Sequence, residues 1–285
     1  MVFDKKFSLL VVPKTQVLRP GETFEAEIII KPEERFRIHR LKALFEGKHE
    51  VIWYSTHVHA TTHGSYTITS KHVDKTTIIK YRKILAEDID VTPFMEYKYN
   101  FGVTLPENAL PTFRGIRIRN IYVFRVKAEI KWARDKEVKE QIIVLQNPEE
   151  SETSDLVSPI DDMIVTLRVP TIIYSGEEFK GELIVRTRRE KNYAGIRIDI
   201  IRIEKALKRR QQSKRRILFH RIAKDVRFSP YMENKLGFSL VAPKNEATFS
   251  TEKGAVEYYM QVVFEKKFWF DKVIKVPIKI LRVSL

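Results

Sequence analysis

Apolar and polar residues alternate with a period of two along most of this chain, and no stretch holds the 3.6-residue period of an amphipathic helix for a useful length. Phe24, Ala26, Ile28 and Ile30 alternate with Glu25 and Glu27. Tyr122, Phe124, Val126, Ala128, Ile130 and Trp132 alternate with Arg125, Lys127, Glu129 and Lys131. A strand with that pattern turns one face to a core and the other to water. Residues 138–145 and 273–281 read as further strands. Residues 197–203 begin as a strand, and at most about one turn of helix fits between Ile200 and Ser213. The pattern predicts an all-β protein.

The pattern also repeats. Residues 17–30, with a Pro20-Gly21 turn ahead of the Phe24 strand, recur as residues 172–185, with Ser175-Gly176 ahead of Phe179. Residues 102–106 match 238–243, Thr112-Phe113 matches Thr248-Phe249, and residues 121–126 match 257–262. The offset is 155 residues at Gly21 and 136 at Tyr122, so the first half holds about 19 extra residues. The Thr- and His-rich stretch 55–75 has no counterpart and is expected to be that insertion, as a surface loop or extended hairpin. Between the halves, residues 148–162 are acidic, polar and bounded by prolines, which is the composition of a linker. The expected organisation is one domain over 1–147, a linker over 148–162 and a second domain over 163–285.

These residues resemble the arrestin superfamily, which includes arrestins, arrestin-domain adaptors, Vps26-type retromer subunits and Spo0M-like sporulation-control proteins. The carriers are the Pro20-Gly21-Glu22 turn, the strand 41–48, residues 101–106 and the strand 122–132. In the second half they are Gly176-Glu177 and residues 240–243 and 257–264. Their order, in two copies, covers nearly the whole chain. The resemblance implies two tandem immunoglobulin-like, arrestin-type β-sandwich domains of seven or so strands each. It also implies a role in binding other proteins, often at membranes. It does not extend to a phosphate-sensing core, because the acidic linker has no Arg. Clathrin-binding and Pro-Pro-x-Tyr segments are missing too.

Composition narrows the function. The 285 residues include no Cys, which rules out disulfides, thiolate metal sites and Cys nucleophiles. No apolar run approaches the roughly 20 residues that span a bilayer. The first residues lack the apolar core of a signal peptide, so a cytoplasmic, membrane-peripheral protein is expected. Charged residues make up 31% of the chain, which fits a thermophile-like surface, but that does not explain a net charge of +15. An anionic partner would. There is no Gly-rich phosphate loop, Gly-x-Ser-x-Gly or His-Glu-x-x-His motif. The many carboxylates alternate with apolar residues, as on solvated sheet faces. The chain therefore reads as a binding protein, not an enzyme, with no cofactor and no small-molecule substrate.

Two clusters stand out. His57 and His59 share a strand face, and His63 lies just beyond; together they are the candidate metal ligands, with a solvated hairpin as the alternative. Seven of the twelve residues 205–216 are cationic: Lys205, Lys208, Arg209, Arg210, Lys214, Arg215 and Arg216. They follow an Ile-rich strand, so a hairpin tip is expected. Its candidate partners are an anionic membrane surface or, as the alternative reading, nucleic acid. Exposed sheet edges are a third route to a protein partner. The expected function is an arrestin-like intracellular adaptor or scaffold.

Overall fold

The computed structural model describes residues 5–62, 64–268 and 270–285. It is almost entirely β-structure, with nineteen strands and one short 3-10 helix among the described residues. No helix among them is long and apolar enough to cross a membrane. The chain divides into two compact units. The first takes residues 1–50, 73–114 and 119–147; the second takes 51–72, 115–118 and 148–285.

In the first half, β1 (Phe7–Pro13), β3 (Thr23–Pro32) and β6 (Tyr97–Thr104) form one sheet in the order β1-β3-β6. The facing sheet has the order β2-β9-β8-β4-β5, from β2 (Val17–Leu18), β9 (Lys136–Val144), β8 (Ile118–Ile130), β4 (Phe36–Thr61) and β5 (Gly64–Val91). The short β7 (Phe113–Arg114) pairs with β8. Phe24, Ala26, Ile28 and Ile30 from one sheet and Tyr122, Phe124, Val126 and Ala128 from the other are buried in one core. Trp132 departs from the expected alternation. The chain turns at φ +64° there and leaves the indole 84% exposed, so the inward face ends at Ile130.

The second half repeats this strand for strand. β11 (Met163–Pro170), β13 (Glu178–Thr187) and β16 (Asn234–Val241) correspond to β1, β3 and β6. β12 (Ile172–Tyr174), β19 (Lys272–Leu281), β18 (Gly254–Glu265), β14 (Lys191–Ala206) and β15 (Gln211–Phe228) reproduce the larger sheet, with β17 (Phe249–Ser250) beside β18. Both copies use a parallel pairing, β2 with β9 and β12 with β19, within otherwise antiparallel sheets. Both need glycine at the turn, at φ +82° for Gly21 and +84° for Gly176, where a Cβ would be strained. The expected all-β, two-sandwich class is what the fold shows.

Part of the expected linker is instead a strand. β10 (Thr153–Ile160) adds an edge to β11. Half-buried Ser154, Leu156, Ser158 and Ile160 alternate with exposed neighbours, and Arg168 grips Asp155 with two bonds of 2.7 and 2.9 Å. Composition hides such a strand because an edge needs little apolar surface and tolerates Pro159. Ser151 Oγ donates to the Ile172 carbonyl at 2.8 Å, and Thr171 N–H donates to Glu152 O at 2.7 Å, so the chain is already tied down ahead of β10. Residues 147–150 remain exposed and without regular structure. A glutamate-specific protease is therefore expected to cut first at Glu149 or Glu150. Sequencing of the new termini checks this, and a first cut within 153–160 would contradict the paired β10.

Candidate functional site

The cationic run lies where its sequence predicts, at a hairpin tip. β14 ends at Ala206, the 3-10 turn Leu207–Arg209 follows, and Arg210 takes the left-handed conformation at φ +52° before β15 begins. Arg210 N–H donates to Leu207 O at 3.1 Å and Leu207 N–H donates to Lys253 O at 2.8 Å. The second bond sets Lys253 beside the tip. The sequence reading missed that cation because it lies far along the chain.

The seven predicted cations do not act alike. Lys205 is half-buried and bonded to Glu257 at 2.6 Å. Arg209 lies over the Trp53 ring at 4.1 Å, and Trp53 also stacks on His72 with centroids 4.0 Å apart. Arg216 lies over Phe219 at 5.1 Å and 3.5 Å from Asp199. Lys208, Arg210, Lys214 and Arg215 are exposed, and none has an acidic partner among the described residues. These four are the free charge of the tip.

The tip is also held in place. Gln211 accepts from Tyr54 N–H at 3.0 Å and donates to Tyr54 O at 2.6 Å. Arg117 Nη1 donates to Gln211 Oε1 at 3.0 Å and lies over the Tyr54 ring at 5.5 Å. A fixed tip presents its charges with little ordering left to do on binding.

Beneath the tip, β14 is buried on both faces, and three of its carboxylate and guanidinium groups break the expectation of solvated faces. Glu204 is 1% exposed and accepts from three successive N–H groups, Ile116 at 3.1 Å, Arg117 at 2.6 Å and Ile118 at 3.0 Å. A side chain at Gly115 would collide with this carboxylate. Arg202 reaches Glu204 at 3.0 Å and Glu246 at 2.9 Å, and Tyr258 donates to Glu246 at 2.6 Å. Burial works against the Arg202 charge, but the two carboxylates outweigh it and hold its pKa above the usual arginine range. Burial, and then Glu246, push the Tyr258 phenol well above its ordinary value. Asp199 is buried as well, 3.4 Å from Arg197. Arg202, Glu204, Glu246 and Tyr258 thus form one buried polar network, which reads as structural.

Of the three candidate metal ligands, the structure describes two. His57 and His59 are exposed on β4, and His59 stacks on Tyr66 at 5.2 Å. His63 lies outside the described residues. Among the described residues, no group of three or more His, Cys, Asp or Glu gathers to hold a metal ion. Three other histidines have local partners: His72 with Ser55 Oγ at 2.8 Å, buried His49 with Asn120 at 2.7 Å, and His39 with Asp88 at 3.3 Å.

The family described as Arrestin (or S-antigen), N-terminal domain, matches residues 10–149, from within β1 to beyond β9. The chain belongs to the arrestin superfamily. The strand-for-strand repeat of that matched half gives the two-sandwich architecture of an arrestin-like protein. No curated protein matches the chain significantly. Membership supports a binding role in general terms and names no partner.

Proposed function

We propose that this arrestin-like chain is an intracellular adaptor that docks an acidic segment of a partner protein on the hairpin tip of its second sandwich. The reading is supported by one observation above all: four exposed cations, Lys208, Arg210, Lys214 and Arg215, stand without acidic partners among the described residues, on a tip fixed by Gln211 and Arg209. Unpaired, preorganised charge favours an anionic ligand through steering and through a low ordering cost. An acidic peptide suits it better than the alternatives. From Leu207 to Arg216 no aromatic side chain is offered for stacking on bases, and Leu207 is the one large apolar group, which is little for a lipid interface.

The test compares wild type with a Lys208→Gln/Arg210→Asn/Lys214→Gln/Arg215→Gln variant, where Asn suits the left-handed position. The fold should hold, since surface changes of this kind shift stability by about 0.5 kcal/mol or less. Binding of a glutamate-rich peptide, followed by fluorescence anisotropy, should fall on the order of a hundredfold, and raising the salt should mimic the substitution. Equal binding by both forms would sink the proposal. Tighter binding of duplex or single-stranded nucleic acid than of peptide at matched salt would replace it with the nucleic-acid reading.

A further inference from the structure

The hairpin tip continues into an open sheet edge. β15 ends the order β12-β19-β18-β14-β15, so one flank pairs with β14 and the other has no strand beside it among the described residues. Such a flank turns every second N–H and C=O group outward, free to pair with another chain. Much of its length is shielded. Ile217 and Ile222 have no opposite residue on β14, Asp225 takes φ +46°, and breaks of this kind bend an edge away from regular pairing. Residues 211–216 are the exception. They face residues 206–201 one for one, in six consecutive pairs from Ala206 with Gln211 to Ile201 with Arg216.

The regular run is also strongly charged. Lys214 and Arg216 stand on one face with Gln212, and Arg215 stands on the other with Gln211 and Ser213. β15 as a whole carries six Lys or Arg and one acid, Asp225. Among the described residues, no other strand that ends a sheet has such an excess. β5 holds five cations against four acids, β6 and β16 hold one lysine each, and β1, β2, β10 and β12 hold no cation. Like charge opposes pairing of this edge with a second β15 and attracts an acidic strand. The fold already contains such an arrangement. β10 lies along the flank of β11, and its Asp155 meets Arg168 directly across the pair.

We propose that the acidic partner segment binds as an added β-strand along residues 211–216, with Glu or Asp at every second position. This rests on the docking reading above and gives it a geometry. The alternate acids meet Lys214 and Arg216 across the new pair, and the backbone of the segment takes up the outward N–H and C=O groups of the run. Gln211, held to Tyr54 by two bonds, and Arg209, set over Trp53, fix the start of that run before the segment arrives.

The experiment changes the ligand, so that β15 itself is untouched. The full-length protein is titrated into a fluorescent peptide in which Glu alternates with Thr. Two derivatives of that peptide carry backbone N-methyl groups, one at the Glu residues and one at the Thr residues. N-methylation removes a donor and keeps the charge, and the two sets lie on opposite flanks of a strand. One derivative should therefore bind as the parent does. The other should lose affinity on the order of a hundredfold, about fivefold for each of about three backbone bonds. Hydrogen exchange reads the protein side: the outward amides of residues 211–216 should slow about tenfold or more once peptide saturates the site, and those of β5 should not change. Equal effects of the two derivatives, with the parent still bound, would overturn the added strand and leave docking at the tip standing. Failure of the parent peptide to bind at all would remove both. Unchanged exchange at 211–216 in the saturated complex would overturn the added strand as well. So would self-association of the protein that the peptide displaces, since a second copy would then cover this edge.

Discussion

Phe24→Ala will cost the first sandwich about 3–5 kcal/mol, the usual range for truncating a fully buried aromatic. Phe24 is fully buried, with its ring centroid 5.1 Å from that of Phe45, 4.9 Å from Phe124 and 6.3 Å from Phe101. These rings come from both sheets, so removing the central one leaves a cavity that no single side chain can fill by changing rotamer. In a chain with two compact units one global unfolding curve is a poor measure. Hydrogen exchange of peptides from β3, β6 and β8 is the direct one. Their protection should fall by roughly two to three orders of magnitude, while peptides from β13, β16 and β18 change little. A loss of less than tenfold in the first set would mean that Phe24 is not the centre of that core.

Phe24 was legible in the sequence because burial on a strand is written locally, as every second residue. The same period revealed Tyr122, Phe124 and the repeat, and the matched turns showed where Gly21 and Gly176 had to sit. The places where the reading fails share a cause. Trp132 continues the apolar period, but the chain turns at that residue, and a turn at φ +64° leaves no mark in an alternation pattern. In sequence β10 reads as a linker, because an edge strand with one half-buried face can be built from Ser, Leu and Ile among acids. The hairpin tip was found as a run of charge, yet which of its charges are free was not. Arg209 is spent on Trp53 and Gln211 on Tyr54, partners more than 150 residues earlier in the chain.

Glu204 is the clearest case of chemistry that the sequence conceals, and its replacement carries the other large effect. On an Ile-rich strand, Arg202 and Glu204 occupy the alternate positions that ordinarily face water. Here both faces of β14 are covered, and the carboxylate meets three backbone N–H groups and a guanidinium. Glu204→Gln preserves the shape but turns one acceptor oxygen into a donor. At least one N–H of residues 116–118 then faces another N–H, and Arg202 keeps a single carboxylate, that of Glu246. Removing one member of a buried, hydrogen-bonded charge cluster costs about 3–5 kcal/mol, against about 0.5 kcal/mol or less for a surface glutamate such as Glu27. The exchange of the amides of residues 116–118 should quicken the most, since those protons lose their acceptor directly. The double variant Arg202→Met/Glu204→Met should cost less than the sum of the two single changes by more than about 1 kcal/mol, because each single change strands the other charge. Additive losses, or a Glu204→Gln protein as stable as wild type, would show that the carboxylate is solvated in solution and that the network does not hold residues 116–118.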